Sequence, residues 1–189
     1  MMSTTRSEDP LVWIDCEMTG LDYEKDSILQ ISCFITDAQL RLLDEEGYGA
    51  IIHHDKAVLD SMNEWCIKTH GATGLTAAVL TSTTTAEQAA IELLAYVKKY
   101  VPQPRKAMLA GNSVHADKAF LCKAPYNAVL DHLHYRILDV SSLKEAARRW
   151  APAPVLNEIP QKRGIHEARQ DILESIEEAR FYQEAFFSG

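Results

Sequence analysis

The chain opens on a short apolar run, Leu11-Val12-Trp13-Ile14, the pattern of a strand covered on both faces. Gly20 and Asp22 punctuate the turn after it. Ile28 to Thr36 is β-branched and apolar enough for a second strand. Asp37-Ala38-Gln39 then predicts a turn, Leu40 to Leu43 a third strand, and Ala50-Ile51-Ile52-His53 a further one. Short connections make these strands antiparallel neighbours. From Asp55 the pattern becomes helical, in pieces broken at Gly71 and Gly74. Thr84-x-x-Glu87 reads as a capping box for a long helix with Ile91, Leu94, Ala95 and Val97 on its inner face, stopped by Pro102. Ala107 to Ala110 predicts a strand, followed by a helix capped by Ser113 and ending before Pro125. Tyr135 to Val140 is strand-like, and Ser142-x-x-Glu145 caps a helix to about Trp150. Pro152, Pro154 and Pro160 mark an irregular connection. The last helix, from about His166 to Phe187, lines up Ala168, Ile172, Ile176, Ala179 and Phe186 at helical spacing. These elements predict a flexible segment over 1–10, then an α/β domain over 11–187: a mixed sheet with helices packed over it.

Composition narrows the class. A chain of 189 residues fits one domain with a sizeable core. Its net charge of −8 argues against coating long nucleic acid through a basic surface. It leaves open a short, enclosed substrate whose charge is met by cations. Cys16, Cys33, Cys66 and Cys122 include no close pair, so they read as reduced core thiols of an intracellular protein, cytoplasmic or mitochondrial. No apolar run approaches the ~18 residues of a membrane span. Met1 to Pro10 resembles neither a signal peptide nor a transit peptide.

The chemistry lies in the acids. Asp15 and Glu17 sit at the end of the first strand, two apart, so both point to one face. Two anions there are costly unless a cation meets them; the plainer alternative is a pair of solvated turn acids. Asp117 falls in the first turn of the helix after the 107–110 strand, where an acid also suits the helix dipole. Asp171 lies beside Ile172 near the start of the last helix, five positions after His166. Taken together, four converging carboxylates suit two divalent cations that clamp the attacking and leaving oxygens of phosphoryl transfer. Oxygen donors favour Mg²⁺ or Mn²⁺ over zinc. A histidine nearby titrates in the right range to accept the proton of an attacking water.

Asp15-Cys16-Glu17-Met18-Thr19-Gly20-Leu21, Gly111-Asn112-Ser113-Val114-His115-Ala116-Asp117 and His166-x-x-x-x-Asp171 resemble the three motifs of the DEDDh 3′→5′ exonucleases. Within that superfamily the chain resembles the oligoribonuclease family. Trp65 with Thr69-His70, and His134 through Ser141, match that family in order and spacing. The third motif departs from the usual pattern. Gln170 stands where the family has the first of two acids, and Glu167 adds an anion next to His166.

The resemblance implies a ribonuclease-H-like sheet, metal ligation by Asp15, Glu17, Asp117 and Asp171, and His166 as general base, with an active-site role for Tyr135. It implies base contacts from Leu21 and Trp65, whose stacking suits any base, and contacts near the 3′ nucleotide from His70 and Ser113. It further implies a homodimer in which Tyr135, Arg136, Ser141 and Lys144 of the opposite subunit cap the substrate's 5′ phosphate. A fixed cap selects short RNA and explains how an acidic protein manages with few basic residues. From the residues alone, Trp65 is as readily a core anchor beside Met62 and Ile67, Arg136 a partner of a nearby acid, and Ser141 a helix cap. The expected activity is metal-dependent release of 5′-mononucleotides from very short RNA. The alternatives are an exonuclease for longer RNA or single-stranded DNA, and a catalytically silent RNA-binding dimer.

Overall fold

The computed structural model describes residues 8–161, 164 and 167–187. Its strands are β1 (Leu11–Met18), β2 (Ile28–Thr36), β3 (Tyr48–Ile51), β4 (Met108–Gly111) and β5 (His134–Asp139). They form one mixed sheet in the order β3-β2-β1-β4-β5. β1, β2 and β3 pair antiparallel, while β4 and β5 run parallel to β1. The helices among the described residues are α1 (Lys56–Asp60), α2 (Glu64–Ala72), α3 (Leu75–Thr81), α4 (Ala86–Tyr100), α5 (His115–Leu121), α6 (Asn127–His132), α7 (Val140–Trp150), α8 (Ala153–Leu156) and α9 (Ala168–Tyr182). A π-helical turn, Gln183–Phe187, follows α9. No described helix is long and apolar enough to cross a membrane.

The alternation along β1 builds both faces of the sheet. Val12, Ile14 and Cys16 point to one side, where they meet β2 residues Ile31, Cys33 and Ile35 and the α4 stripe Ala89, Ala90, Leu93 and Val97. Leu11 and Trp13 point to the other, against Phe34, Ala147 of α7, and Ile172, Ile176, Ala179 and Tyr182 of α9. The Trp13 indole donates to Thr36 Oγ1 at 3.0 Å, so its polar edge is satisfied inside the core. Continuing that parity, Asp15 and Glu17 emerge on the α9 side, above Trp13.

Several local expectations shift. Leu40 to Leu43 is not a strand. A single bridge joins Thr36 to Leu42, and Leu40, at φ +63°, tucks into the core under α9. The third strand of the sheet is 48–51 instead. Gly71 lies inside α2, and the break falls at Gly74, whose φ of +80° suits a residue without Cβ. Thr85 rather than Thr84 caps α4, accepting from the Gln88 amide. That helix buries Ala89, Ala90, Leu93 and Val97 while Ile91 is exposed, a face rotated from the one expected. Asp139, not Ser142, caps α7 by accepting from the Ser141 amide. Phe186 falls in the π turn and is 40% exposed, off the apolar stripe. All four cysteines are free, but Cys122 is exposed rather than in the core.

Candidate active site

β1 runs past the end of β4, whose last residue paired with it is Ala110, opposite Trp13. Beyond that point the Cys16 amide donates to Asp117 Oδ1 at 2.9 Å. The backbone between Asp15 and Glu17 therefore holds the third acid beside them. Asp117 lies in the first turn of α5, as its spacing predicts. Ser113 does not cap that helix. It takes a positive φ of +51°, and its amide donates to Asp139 Oδ1 and Ser141 Oγ, both at 2.9 Å. A serine in this sparsely populated region is local strain held by its partners.

The fourth acid arrives on α9. Asp171 sits in the first helical turn, its amide donating to the Glu167 carbonyl at 2.9 Å. Glu167 itself is exposed at the N-cap position. Arg169 fixes this end of the helix. Its guanidinium lies 4.8 Å over the Phe34 ring and donates to the Glu45 carbonyl at 2.8 Å and to the Glu46 carbonyl. Arg169 was not singled out in the sequence, because its role depends on where the β2–β3 connection passes. Asp15, Glu17 and Asp171 each bring a carboxylate oxygen within 4.8 Å of the others. Asp117 stands next to this trio without joining its mutual spacing.

The electrostatics record the crowding. Burial first, then the charges of Asp171 and Asp117, push the Glu17 carboxyl up to about 7. Burial likewise raises Asp117 to about 7, against the lowering pull of the Cys16 amide. Carboxyl groups that strain against ionisation together are a donor set of hard oxygens suited to a divalent cation. His166 lies outside the described residues, and so does its relation to this cluster.

Next to the acids is a cavity of about 420 Å³ lined by Glu17, Met18, Leu21, Trp65 and His70, among others. Leu21 and Trp65 are exposed at its mouth. The core-anchor alternative for Trp65 therefore does not hold; Met62 and Cys66 are the buried residues of that segment. Gly20 suits the turn that presents Leu21, since a Cβ there would run into the Asp26 carboxylate. That carboxylate is held by the Thr19 hydroxyl at 2.8 Å and the Asp22 amide at 2.9 Å. His70 is buried, its Nε2 donating to the Met18 carbonyl at 2.9 Å. Its Nδ1 has no hydrogen-bond partner among the described residues and lies 3.9 Å from Glu17 Oε2. In the neutral ring that nitrogen is an acceptor facing another acceptor, which leaves a place for a donor between them.

The remaining expected contacts lie apart. Tyr135 and Arg136 are exposed on the edge strand, within a register shift that pairs Met108 with His134 but Leu109 with Ile137. Arg136 stacks over the Tyr135 ring at 5.3 Å and makes no ion pair among the described residues. By register they lie level with Leu11 and Val12, roughly 10–20 Å along the strands from Asp15 and Glu17. Ser141 Oγ donates to Asn112 Oδ1 at 3.0 Å, and Lys144 Nζ stands 3.5 Å from Glu178.

Solved structures similar in shape agree on the fold. A zinc-bound exonuclease I–single-stranded DNA complex of E. coli superposes at TM-score 0.67 with 13% identity, over 95% of this chain and 41% of that one. Pop2p of S. pombe, in its Mg²⁺- and Mn²⁺-bound form, superposes at 0.68 with 12% identity, over 95% and 84%. Sequence relatives are much closer. A probable oligoribonuclease of Schizosaccharomyces pombe is 47% identical over 96% of this chain and 70% of its own length. A mitochondrial oligoribonuclease of Homo sapiens is 49% identical over 94% and 73%, and an oligoribonuclease of Streptomyces avermitilis 45% over 95% and 88%. With an exonuclease family model also matching residues 12–179, the chain belongs to the oligoribonuclease family and is a nuclease of the ribonuclease-H-like fold.

Proposed function

We propose that this protein is a 3′→5′ exoribonuclease that hydrolyses very short RNA, from dinucleotides to a few nucleotides, to 5′-mononucleotides. Asp15, Glu17, Asp117 and Asp171 would hold two divalent cations, Mg²⁺ or Mn²⁺. When bound, the cations supply neutralisation of the charge that develops on the attacking and leaving oxygens. The observation that carries this reading is the half-buried carboxylate cluster of Asp15, Glu17 and Asp171 beside a cavity flanked by Leu21 and Trp65.

The protein's own groups account for orientation. Leu21 and Trp65 take the faces of a base without reading its edge, which gives affinity without sequence preference. The lone acceptor at His70 Nδ1 suits a ribose hydroxyl. His166 is the general base in this reading, with Tyr135 assisting and Ser113 contacting the nucleotide. The along-strand distance from Tyr135 and Arg136 to the acids supports a cap supplied by the opposite subunit of a homodimer, Ser141 and Lys144 completing it. Arg136 offers a planar fork for a terminal phosphate.

Two measurements test this. A 5′-phosphorylated RNA series from two to about twenty nucleotides is expected to show kcat/KM falling steeply with length, and Arg136→Ala to weaken the dinucleotide more than the longer strands. A flat profile would replace the short-RNA reading by that of an exonuclease for longer strands; binding without turnover would leave an RNA-binding dimer. Trp65→Ala is expected to raise KM for the dinucleotide about tenfold, the loss of about 1–3 kcal/mol of stacking.

A further inference from the structure

A second stripe runs along α9. Asp171, Ser175, Glu178 and Tyr182 recur at intervals of four, three and four, so they share one side of the helix. Ser175, Glu178 and Tyr182 are 4%, 1% and 0% exposed. A glutamate this deep needs partners, and it has them on both oxygens. Asn112 Nδ2 donates to Oε2 at 3.1 Å, the Tyr182 hydroxyl donates to Oε1 at 3.0 Å, and Lys144 Nζ stands 3.5 Å from Oε1.

Asn112 is the junction. It lies in the second motif, five residues before Asp117. Its Nδ2 also donates to Ser175 Oγ at 2.9 Å, and Ser175 Oγ donates to the Asp171 carbonyl at 2.7 Å. Its Oδ1 accepts from Ser141 Oγ at 3.0 Å. The loop leading to Asp117 is thereby clamped to α9 one and two turns below Asp171. Stability alone does not account for this arrangement, since well-packed apolar residues of similar volume often stabilise as much as a buried polar or charged group. A directional bond fixes register as well, which apolar packing does less well.

We infer that Glu178 is a positioning residue for the nuclease reaction: through Asn112 it fixes the second-motif loop against α9, and so sets the separation of Asp117 from Asp171. The inference rests on the reading that these two acids hold the cations. Glu178 touches no substrate; it acts through Asn112, Ser175 and the helix.

The bond's direction provides the test, because Asn112 donates and Glu178 accepts. Mn²⁺ alone is titrated calorimetrically into the wild type, Glu178→Ala, Asn112→Asp and the double variant Asn112→Asp/Glu178→Gln, with melting temperatures recorded in parallel. Glu178→Ala and Asn112→Asp are expected to weaken Mn²⁺ binding about tenfold. In the double variant glutamine donates to aspartate and the Ser175 hydroxyl can turn from the Asp171 carbonyl to donate to the same carboxylate, so binding is expected to return to within about threefold of wild type. A merely structural group would lower the melting temperature and leave Mn²⁺ affinity unmoved, which overturns the inference. So does a double variant as weak as Asn112→Asp, and this arm stands even if Glu178→Ala fails to fold. Asp171→Asn is the control. If it binds Mn²⁺ like wild type, the carboxylate-site reading fails; if it alone loses binding, only the role of Glu178 fails.

Discussion

Asp171→Asn is expected to lower turnover of an RNA dinucleotide by about a thousandfold or more while leaving the protein folded. Asparagine has the volume of aspartate, and the backbone bond from residue 171 to the Glu167 carbonyl does not involve the side chain. The substitution removes one negative charge from among three carboxylates whose oxygens lie within 4.8 Å of one another. If Asp171 holds a cation as proposed, losing the charge would cost that cation one of its strongest ligands, and several kcal/mol of transition-state stabilisation correspond to about three powers of ten in rate. The same change relieves repulsion in the metal-free protein, because Asp171 is among the groups that raise Glu17. Metal-free Asp171→Asn is therefore expected to melt above metal-free wild type while responding little to Mn²⁺. Opposite effects on activity and stability identify a functional cluster, since a structural residue would lose both. Turnover within tenfold of wild type, or a lower metal-free melting temperature, would contradict the assignment.

The parts of this site that were legible in the sequence are those set by short-range periodicity. Two residues apart on a strand means one face, and Asp15 and Glu17 do emerge together above Trp13. The first-turn positions of Asp117 and Asp171 follow from strand and helix ends that the apolar pattern marks well. Legibility failed where tertiary packing chooses between equivalent local options. The α4 sequence offers apolar residues on two overlapping faces, and the sheet selected the smaller one with Ala89 and Ala90, which lets the helix approach closely. Leu40 and Leu42 are apolar because they lie under α9, not because they form a strand. Asp139 caps α7 and holds Ser113 at once, a double use that no local motif announces. The polar stripe of α9 had a visible spacing, but its partner Asn112 is distant in sequence, so the clamp stayed hidden. The oligoribonuclease resemblance identified the family from motif order, and among the described residues the fold brings Asp15, Glu17 and Asp171 together with Asp117 beside them.

Acidity is expected to stabilise the metal-free protein. Glu17 has a folded-state pKa of about 7 against an ordinary value of 4.5, so the folded state holds a proton that the unfolded chain releases. Its stabilising contribution is complete below the unfolded value and is lost as pH rises through the folded one. Asp117, also raised to about 7, acts in the same direction. Glu17 alone is worth on the order of 3 kcal/mol between pH 5 and pH 8. For a chain of this size that lowers the melting temperature by about 6–12 °C over the same interval. Asp22 and Asp37, whose pKa values are lowered, lose their contributions only in more acidic solution, so they leave this window clear. Saturating Mn²⁺ or Mg²⁺ favours the ionised carboxylates and reverses the preference, so the cation should raise the melting temperature far more at pH 8 than at pH 5. Thermal melts across pH 5–8 in a chelating buffer, repeated with Mn²⁺ and with Asp171→Asn, read all three effects. A metal-free melting temperature that is flat or rises toward pH 8 would mean that these carboxyls do not compete for charge, and with that the physical case for cations in this pocket would go.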